Sequence, residues 1–185
     1  MIESIISMEL PAGGHLAIRR NRICPEQETK QCRRISLVSG IHGDELEGQY
    51  ICDETARRGK EHPEYLKGIV DIYPAWNPLG IDMASRTVPR LEMDMNRMFP
   101  GDASGDMMER ITAAVVDSII GSDICMDLHA RDIVGREIPQ VRRSEDFAEA
   151  LLLDAKMTNA DMIWMNANAT VQESTLAHSL NLLGV

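Results

Sequence analysis

The sequence predicts an α/β fold built on a mainly parallel sheet with helices on both faces. Two observations predict it. Short apolar runs with β-branched members alternate along the chain with segments whose apolar residues recur near the helical period of about 3.6. Glycines and turn sequences punctuate the alternation, as strand–helix units require.

The elements follow in order. The polar stretch RRNRICPEQETKQCRR (19–34) reads as a surface loop or hairpin before the first core strand, ISLVS (35–39). That run is short, continuously apolar and β-branched, the pattern of a buried strand, and Gly40 ends it. A helix is expected from about Asp44 to Arg58, stopped by Gly59. The strand GIVDIYPAW (68–76) closes on the turn Asn77-Pro78-Leu79-Gly80, and residues 81–104 read as irregular. A helix from about Asp106 to Ile120 carries Met107, Ile111, Ala114, Val115 and Ile119 on its apolar face. Gly121 stops it before the strand DICMDLH (123–129). Ser144 reads as the N-cap of a helix reaching Lys156. The strand DMIWMNA (161–167) and a helix from about Val171 to Leu183, with Gly184 at its C′ position, complete the pattern. The stretch Arg136–Val141 (REIPQV) receives no assignment.

The 185 residues suffice for one domain, spanning 1–185, with a sizeable core. A net charge of -10 argues against nucleic acid or an anionic membrane as partner, since both select basic surface. The first ten residues lack the basic and apolar regions of a signal peptide, and no apolar run approaches the roughly 18 residues of a membrane span. Cys24, Cys32, Cys52 and Cys125 are scattered and read as reduced, structural thiols, so a cytoplasmic protein is expected. The 12 methionines read as adaptable core filler.

In open α/β sheets ligands gather beyond the carboxyl ends of the strands, and reactive residue types lie there. His42 and Glu45 in Gly40-Ile41-His42-Gly43-Asp44-Glu45 sit three apart across a glycine, able to face one ion from a strand-to-helix bend. His129 closes another strand, and Asp127, two residues earlier on the same side, can orient its imidazole. Two His and one Glu form a recurring catalytic zinc set with a fourth position left for water. Each feature also has a plainer reading. An H-x-x-E can be a solvated helix-start pair, His129 a hydrogen-bonded core histidine, and Asp127 a capping carboxylate. The central segment brings Arg86, then Asp94-Met95-Asn96-Arg97-Met98-Phe99-Pro100-Gly101. Guanidinium groups there suit a substrate carboxylate or a developing oxyanion, or else merely neutralise an acidic surface.

Taken together, GIHGDE (40–45), NPLG (77–80), Arg86, DMNRMFPG (94–101) and DLHA (127–130) resemble the succinylglutamate desuccinylase/aspartoacylase branch of the zinc carboxypeptidase-like hydrolases. The likeness spans roughly residues 35–130, in the family's order and spacing. It implies a three-layer α/β/α sandwich with a mixed, mostly parallel sheet, of the phosphorylase/hydrolase-like kind. It also implies one Zn2+ per chain held by His42, Glu45 and His129. Asn96 and Arg97 would hold the substrate's carboxylate, and Arg86 would polarise the scissile carbonyl. The implied reaction hydrolyses the amide bond of a small N-acyl amino acid by attack of metal-bound water. Two alternatives stand beside it: a metallocarboxypeptidase acting on peptides, with Arg97 holding the C-terminal carboxylate, and a metal-binding module without catalysis. A structural protein without metal would leave H-x-x-E and DLH without purpose.

The family's general base, a glutamate at the end of a later strand, is expected beyond residue 185. Glu173, in the last expected helix, is not assigned that role. The chain is therefore expected to be an N-terminal part that binds zinc and hydrolyses little. An open sheet edge would then favour association with another chain, a homo-oligomer included.

Overall fold

A computed structural model describes residues 1–10, 13–26, 32–144, 149–166 and 174–185. Strands β1 (Ile2–Glu9), β2 (His15–Ile23), β3 (Arg34–Val38), β4 (Ile69–Tyr73) and β5 (Ile124–Asp127) form one sheet in the order β1-β2-β4-β3-β5. β4–β3 and β3–β5 pair in parallel, while β1–β2 and β2–β4 pair antiparallel. The sheet is thus mixed, and the expected parallel predominance is not met.

The cause lies at the start of the chain. Residues 19–23, read as part of a polar surface loop or hairpin, belong to β2, and β1 precedes it. The polarity that hid β2 is buried in ion pairs. Its Arg22 donates two bonds of 2.7 Å to Asp71, whose side chain on β4 is fully buried, and Arg20 and Arg34 lie 3.5 and 3.9 Å away. A buried carboxylate persists only when paired, and stripping one side of such a pair costs about 3–5 kcal/mol. Asp71→Ala, which would leave three guanidinium groups around a void, is expected to cost that much in denaturant unfolding. A loss below about 1 kcal/mol would mean that the cluster is solvent-screened.

Side chains alternate across the sheet, and each face has its own core. Val38, Tyr73, Leu16 and Ile18 pack with α3 (Met107–Ile119) and α5 (Leu176–Leu182). Leu37, Ile72 and Ile23 pack with Cys52 and Ala56 of α1 (Glu47–Glu61). α3 forms where the period placed it, burying Met108, Ile111, Val115, Val116 and Ile119. Asp106 and Glu109 close a reciprocal capping box at its start, and Gly121, at φ +83°, follows its end.

Other boundaries move for physical reasons. α1 begins after Glu45 and runs through Gly59 to Glu61, and Pro63 stands just past its end. Asn77-Pro78-Leu79-Gly80 opens a one-turn helix, α2 (Pro78–Asp82), in which the Asn77 side chain accepts from the Gly80 N–H and Pro78 takes the first position. Within REIPQV, Gln140 and Val141 begin β6 (Gln140–Ser144), so Ser144 ends a strand, and residues 145–148, where the helix was expected to start, lie outside the described residues. β6 pairs in parallel with β7 (Met162–Asn166) in a separate two-stranded sheet. α4 (Glu149–Lys156) lies between them. Glu173 and the expected start of the last helix lie outside the described residues. Among the described residues no helix is long and apolar enough to cross a membrane.

Candidate functional site

The bend after β3 is fixed by its neighbours. Gly40 adopts φ +71°, a conformation glycine takes at no steric cost, and its carbonyl accepts from the Asn77 N–H at 2.7 Å. The Gly43 N–H donates to the Ser85 carbonyl at 2.9 Å, so the segments after β3 and β4 run side by side. This seats His42 and Glu45, both buried, beneath the carboxyl end of the sheet. His129 follows β5, which pairs directly with β3, and opens onto a cleft of about 720 Å³. The three predicted ligand residues therefore meet.

Their geometry is specific. Nδ1 of His42 is 2.6 Å from Glu45 Oε1, Nδ1 of His129 is 3.0 Å from Glu45 Oε2, and the two Nδ1 atoms are 3.2 Å apart. The opposite ring nitrogens are engaged elsewhere: His42 Nε2 with Asp94 Oδ1 and His129 Nε2 with Asp127 Oδ2, each at 3.0 Å. A carboxylate at Nε2 holds the proton there and leaves the Nδ1 lone pair for an ion. Zinc bonds of about 2.0–2.2 Å at tetrahedral angles put neighbouring donors about 3.3 Å apart. The observed 3.0 and 3.2 Å spacings fit that requirement, so the set is compatible with one metal site.

The charges interlock. Burial disfavours ionisation of Glu45, but His129 and His42 outweigh it and hold the carboxyl far below the usual range; Asp94 is lowered against its burial chiefly by His42. Burial likewise opposes protonation of His42, and Asp94 and Glu45 reverse it, raising its pKa. Glu45 Oε2 also accepts from the Ala130 N–H at 2.8 Å.

The remaining predicted residues line the same cleft. Arg86 bridges Glu45 Oε1 and Asp94 Oδ2, both at 3.2 Å. Asn96 is buried, its Oδ1 accepting from the Leu176 N–H at the start of α5 and its Nδ2 lying 3.5 Å from His129 Nε2. Arg97 donates to the Asn96 carbonyl at 2.7 Å and has no carboxylate partner among the described residues. Asp127 takes the orienting place that sequence suggested. Asp94 was not singled out, because its partner His42 lies 52 positions away and nothing local marks the pairing. Since loss of such an orienting partner typically lowers metal affinity 10- to 100-fold, Asp94→Asn is expected to weaken zinc binding by about that factor, read by competition with a chromogenic chelator. Unchanged affinity would reduce Asp94 to a turn residue capping Asn96.

His42, Glu45 and His129 thus meet at adjacent strand ends of a mixed α/β sheet, in a group that could hold one metal ion. The solved metallo-carboxypeptidase from Burkholderia cenocepacia shares the fold, with a TM-score of 0.68 at 14% identity over 98% of this chain and 52% of that one. A succinylglutamate desuccinylase/aspartoacylase from Rhodobacter sphaeroides matches with a TM-score of 0.79 at 23% identity, over 100% of this chain and 55% of that one. The N-alpha-acetyl-L-2,4-diaminobutyric acid deacetylase of Halomonas elongata is 34% identical over 95 residues, 51% of this chain and 27% of that protein. Residues 31–185 match the family model of the succinylglutamate desuccinylase/aspartoacylase catalytic domain, and the chain belongs to that family. It spans about half the length of the solved relatives, and its match covers about a quarter of the deacetylase.

Proposed function

We propose that this chain is the zinc-binding catalytic domain of a hydrolase that cleaves the amide bond of a small N-acyl amino acid. One observation carries the reading: two Nδ1 atoms and a carboxylate converge while Asp94 and Asp127 occupy the far side of each imidazole. His42, Glu45 and His129 would hold one zinc ion, which when bound lowers the pKa of water toward about 7 and polarises a carbonyl. Arg86, fixed between Glu45 and Asp94, puts a guanidinium beside the scissile carbonyl to stabilise the developing oxyanion. Arg97 receives the substrate's carboxylate, for which its planar fork is matched, together with Asn96, whose backbone carbonyl accepts from Arg97 Nη1 and positions that guanidinium. The same reading takes α1 and α3 as outer layers of a three-layer sandwich.

The test offers the zinc-replete full-length protein N-acyl amino acids and unblocked dipeptides in parallel and follows amine release. Turnover of the acyl amino acids, abolished by a chelator and restored by zinc, is the expected result. Faster cleavage of dipeptides would favour a metallocarboxypeptidase, and turnover indifferent to chelation would overturn the reading.

A further inference from the structure

The reaction above needs Arg86 in one place, yet its side chain is 49% exposed and held by two bonds of 3.2 Å, to Glu45 and Asp94. Such bonds orient a guanidinium; they do not fix the backbone that carries it. That backbone is held through its two neighbours. On one side, the Ser85 carbonyl accepts from the Gly43 N–H at 2.9 Å and the Ser85 N–H donates to the Gly80 carbonyl at 2.8 Å. On the other, the Thr87 carbonyl accepts from Asn77 Nδ2 at 3.2 Å. Of these three bonds, the last alone is made by a side chain.

Asn77 is 2% exposed, and its polar groups are all engaged. Its N–H donates to the Gly40 carbonyl at 2.7 Å, its own carbonyl accepts from the Ile81 N–H at 3.0 Å, and Oδ1 accepts from the Gly80 N–H at 2.9 Å. One residue therefore ties together the bend after β3, the first turn of α2 and the segment that carries Arg86. The carboxamide has only one workable orientation. Reversed, it would set Nδ2 against the Gly80 N–H and Oδ1 against the Thr87 carbonyl. Gly80 leaves room for it, since a Cβ there would overlap the Asn77 side chain.

A separate observation shows that this segment needs holding. Ala84, which leads from the end of α2 into Ser85, has φ +47°. A residue with a Cβ disfavours that left-handed conformation and keeps it only where its surroundings impose it. The bonds at Ser85 and Thr87 impose it here.

We propose that Asn77 is a positioning residue: its carboxamide, acting through the Thr87 carbonyl, sets the place of the Arg86 guanidinium beside His42, Glu45 and His129. This rests on the hydrolase reading above and extends it to a residue that does not line the cleft.

Asn77→Asp separates the two tasks of the side chain. Aspartate caps a helix as well as asparagine does and keeps an acceptor for the Gly80 N–H, but it has no donor for Thr87. Asn77→Ser does the same without adding a charge, and serves if the aspartate variant does not fold. Turnover of an N-acyl amino acid by the zinc-replete full-length protein is measured for each, in wild-type and Arg86→Ala backgrounds. Zinc content and circular dichroism are recorded alongside. In the wild-type background kcat is expected to fall roughly 10- to 100-fold with KM little changed, as a displacement near 1 Å entails. In Arg86→Ala the same substitution should cost no more than about twofold, because effects that run through one group do not add. Equal losses in both backgrounds would overturn the proposal, since a general structural role lowers both alike. No loss in the wild-type background would overturn it too.

Hydrogen exchange answers independently of turnover. Without the tether, the Gly43 and Ser85 amides should exchange about 10-fold faster or more, while the Ile81 amide of α2 stays protected. Unchanged exchange at Gly43 and Ser85 would sink the proposal even if activity fell. Zinc-loaded wild type that releases no amine overturns the hydrolase reading alone. Faster exchange in Asn77→Asp would then leave the tether on the Arg86 segment standing.

Discussion

Replacing His129 with alanine is expected to take the protein from about one zinc ion per chain to almost none. Two donors would remain, His42 Nδ1 and the Glu45 carboxylate, and a stable catalytic site requires three from the protein. The loss should exceed the roughly 10- to 100-fold that removal of an outer carboxylate costs. His129 opens onto the cleft, so alanine there disturbs packing little and the folded chain should survive. The same geometry sets the sign of the pH dependence. Burial opposes protonation of His129, but Asp127 and Glu45 outweigh it, and the pKa in the metal-free chain is pushed up to about 10. At neutral pH the ring therefore carries a proton that zinc must displace. Binding should release protons and should weaken progressively as the pH falls below about 10, because protons compete for the Nδ1 lone pair. Elemental analysis of wild type and His129→Ala, with zinc titrations in lightly buffered solution, checks both points. Full zinc content in His129→Ala would remove His129 from the ligand set.

The site was more legible in the sequence than the sheet was, and for a physical reason. His42, Glu45 and His129 stand at strand ends, where short apolar runs stop at glycine or at a polar residue, so a local pattern located them. β2 gave the opposite signal. Its Arg20 and Arg22 look like loop residues because their compensation by Asp71 comes from β4, 49 positions after Arg22. Asp94 was silent for the same reason, its histidine being reached only through the fold. The dense charge around residues 136–142 concealed β6, whose partner β7 follows an intervening helix. Glycine misled in one place. Gly59 reads as a helix stop, yet it lies inside α1, facing the Ile23 side chain. What sequence reports well is chemistry tied to a local break in the chain; what it hides is polarity satisfied across the sheet.

That contrast between glycines yields the last expected result. Gly43→Ala should impair the metal centre as severely as loss of an orienting carboxylate, although Gly43 coordinates nothing. A Cβ at Gly43 would overlap the Gly80 carbonyl and the Ile81 nitrogen, both backbone atoms at the start of α2 that no rotamer change can move. The bend after β3 must then shift, carrying its neighbours His42 and Glu45 with it and stretching the Gly43 bond to Ser85. Displacements near 1 Å at such a site cost about 100-fold, so zinc affinity should fall by about that factor. Gly59→Ala is the matched control. There the added methyl meets the end of the Ile23 side chain at 3.1 Å, which can give way, and alanine favours the helix by roughly 0.5–1 kcal/mol. Its zinc affinity should match wild type, with stability unchanged or slightly raised. Thermal unfolding of the metal-free variants separates a displaced bend from general instability. Wild-type zinc affinity in Gly43→Ala would show that the segments after β3 and β4 yield without disturbing the ligands, and that their close approach does not hold the site in shape.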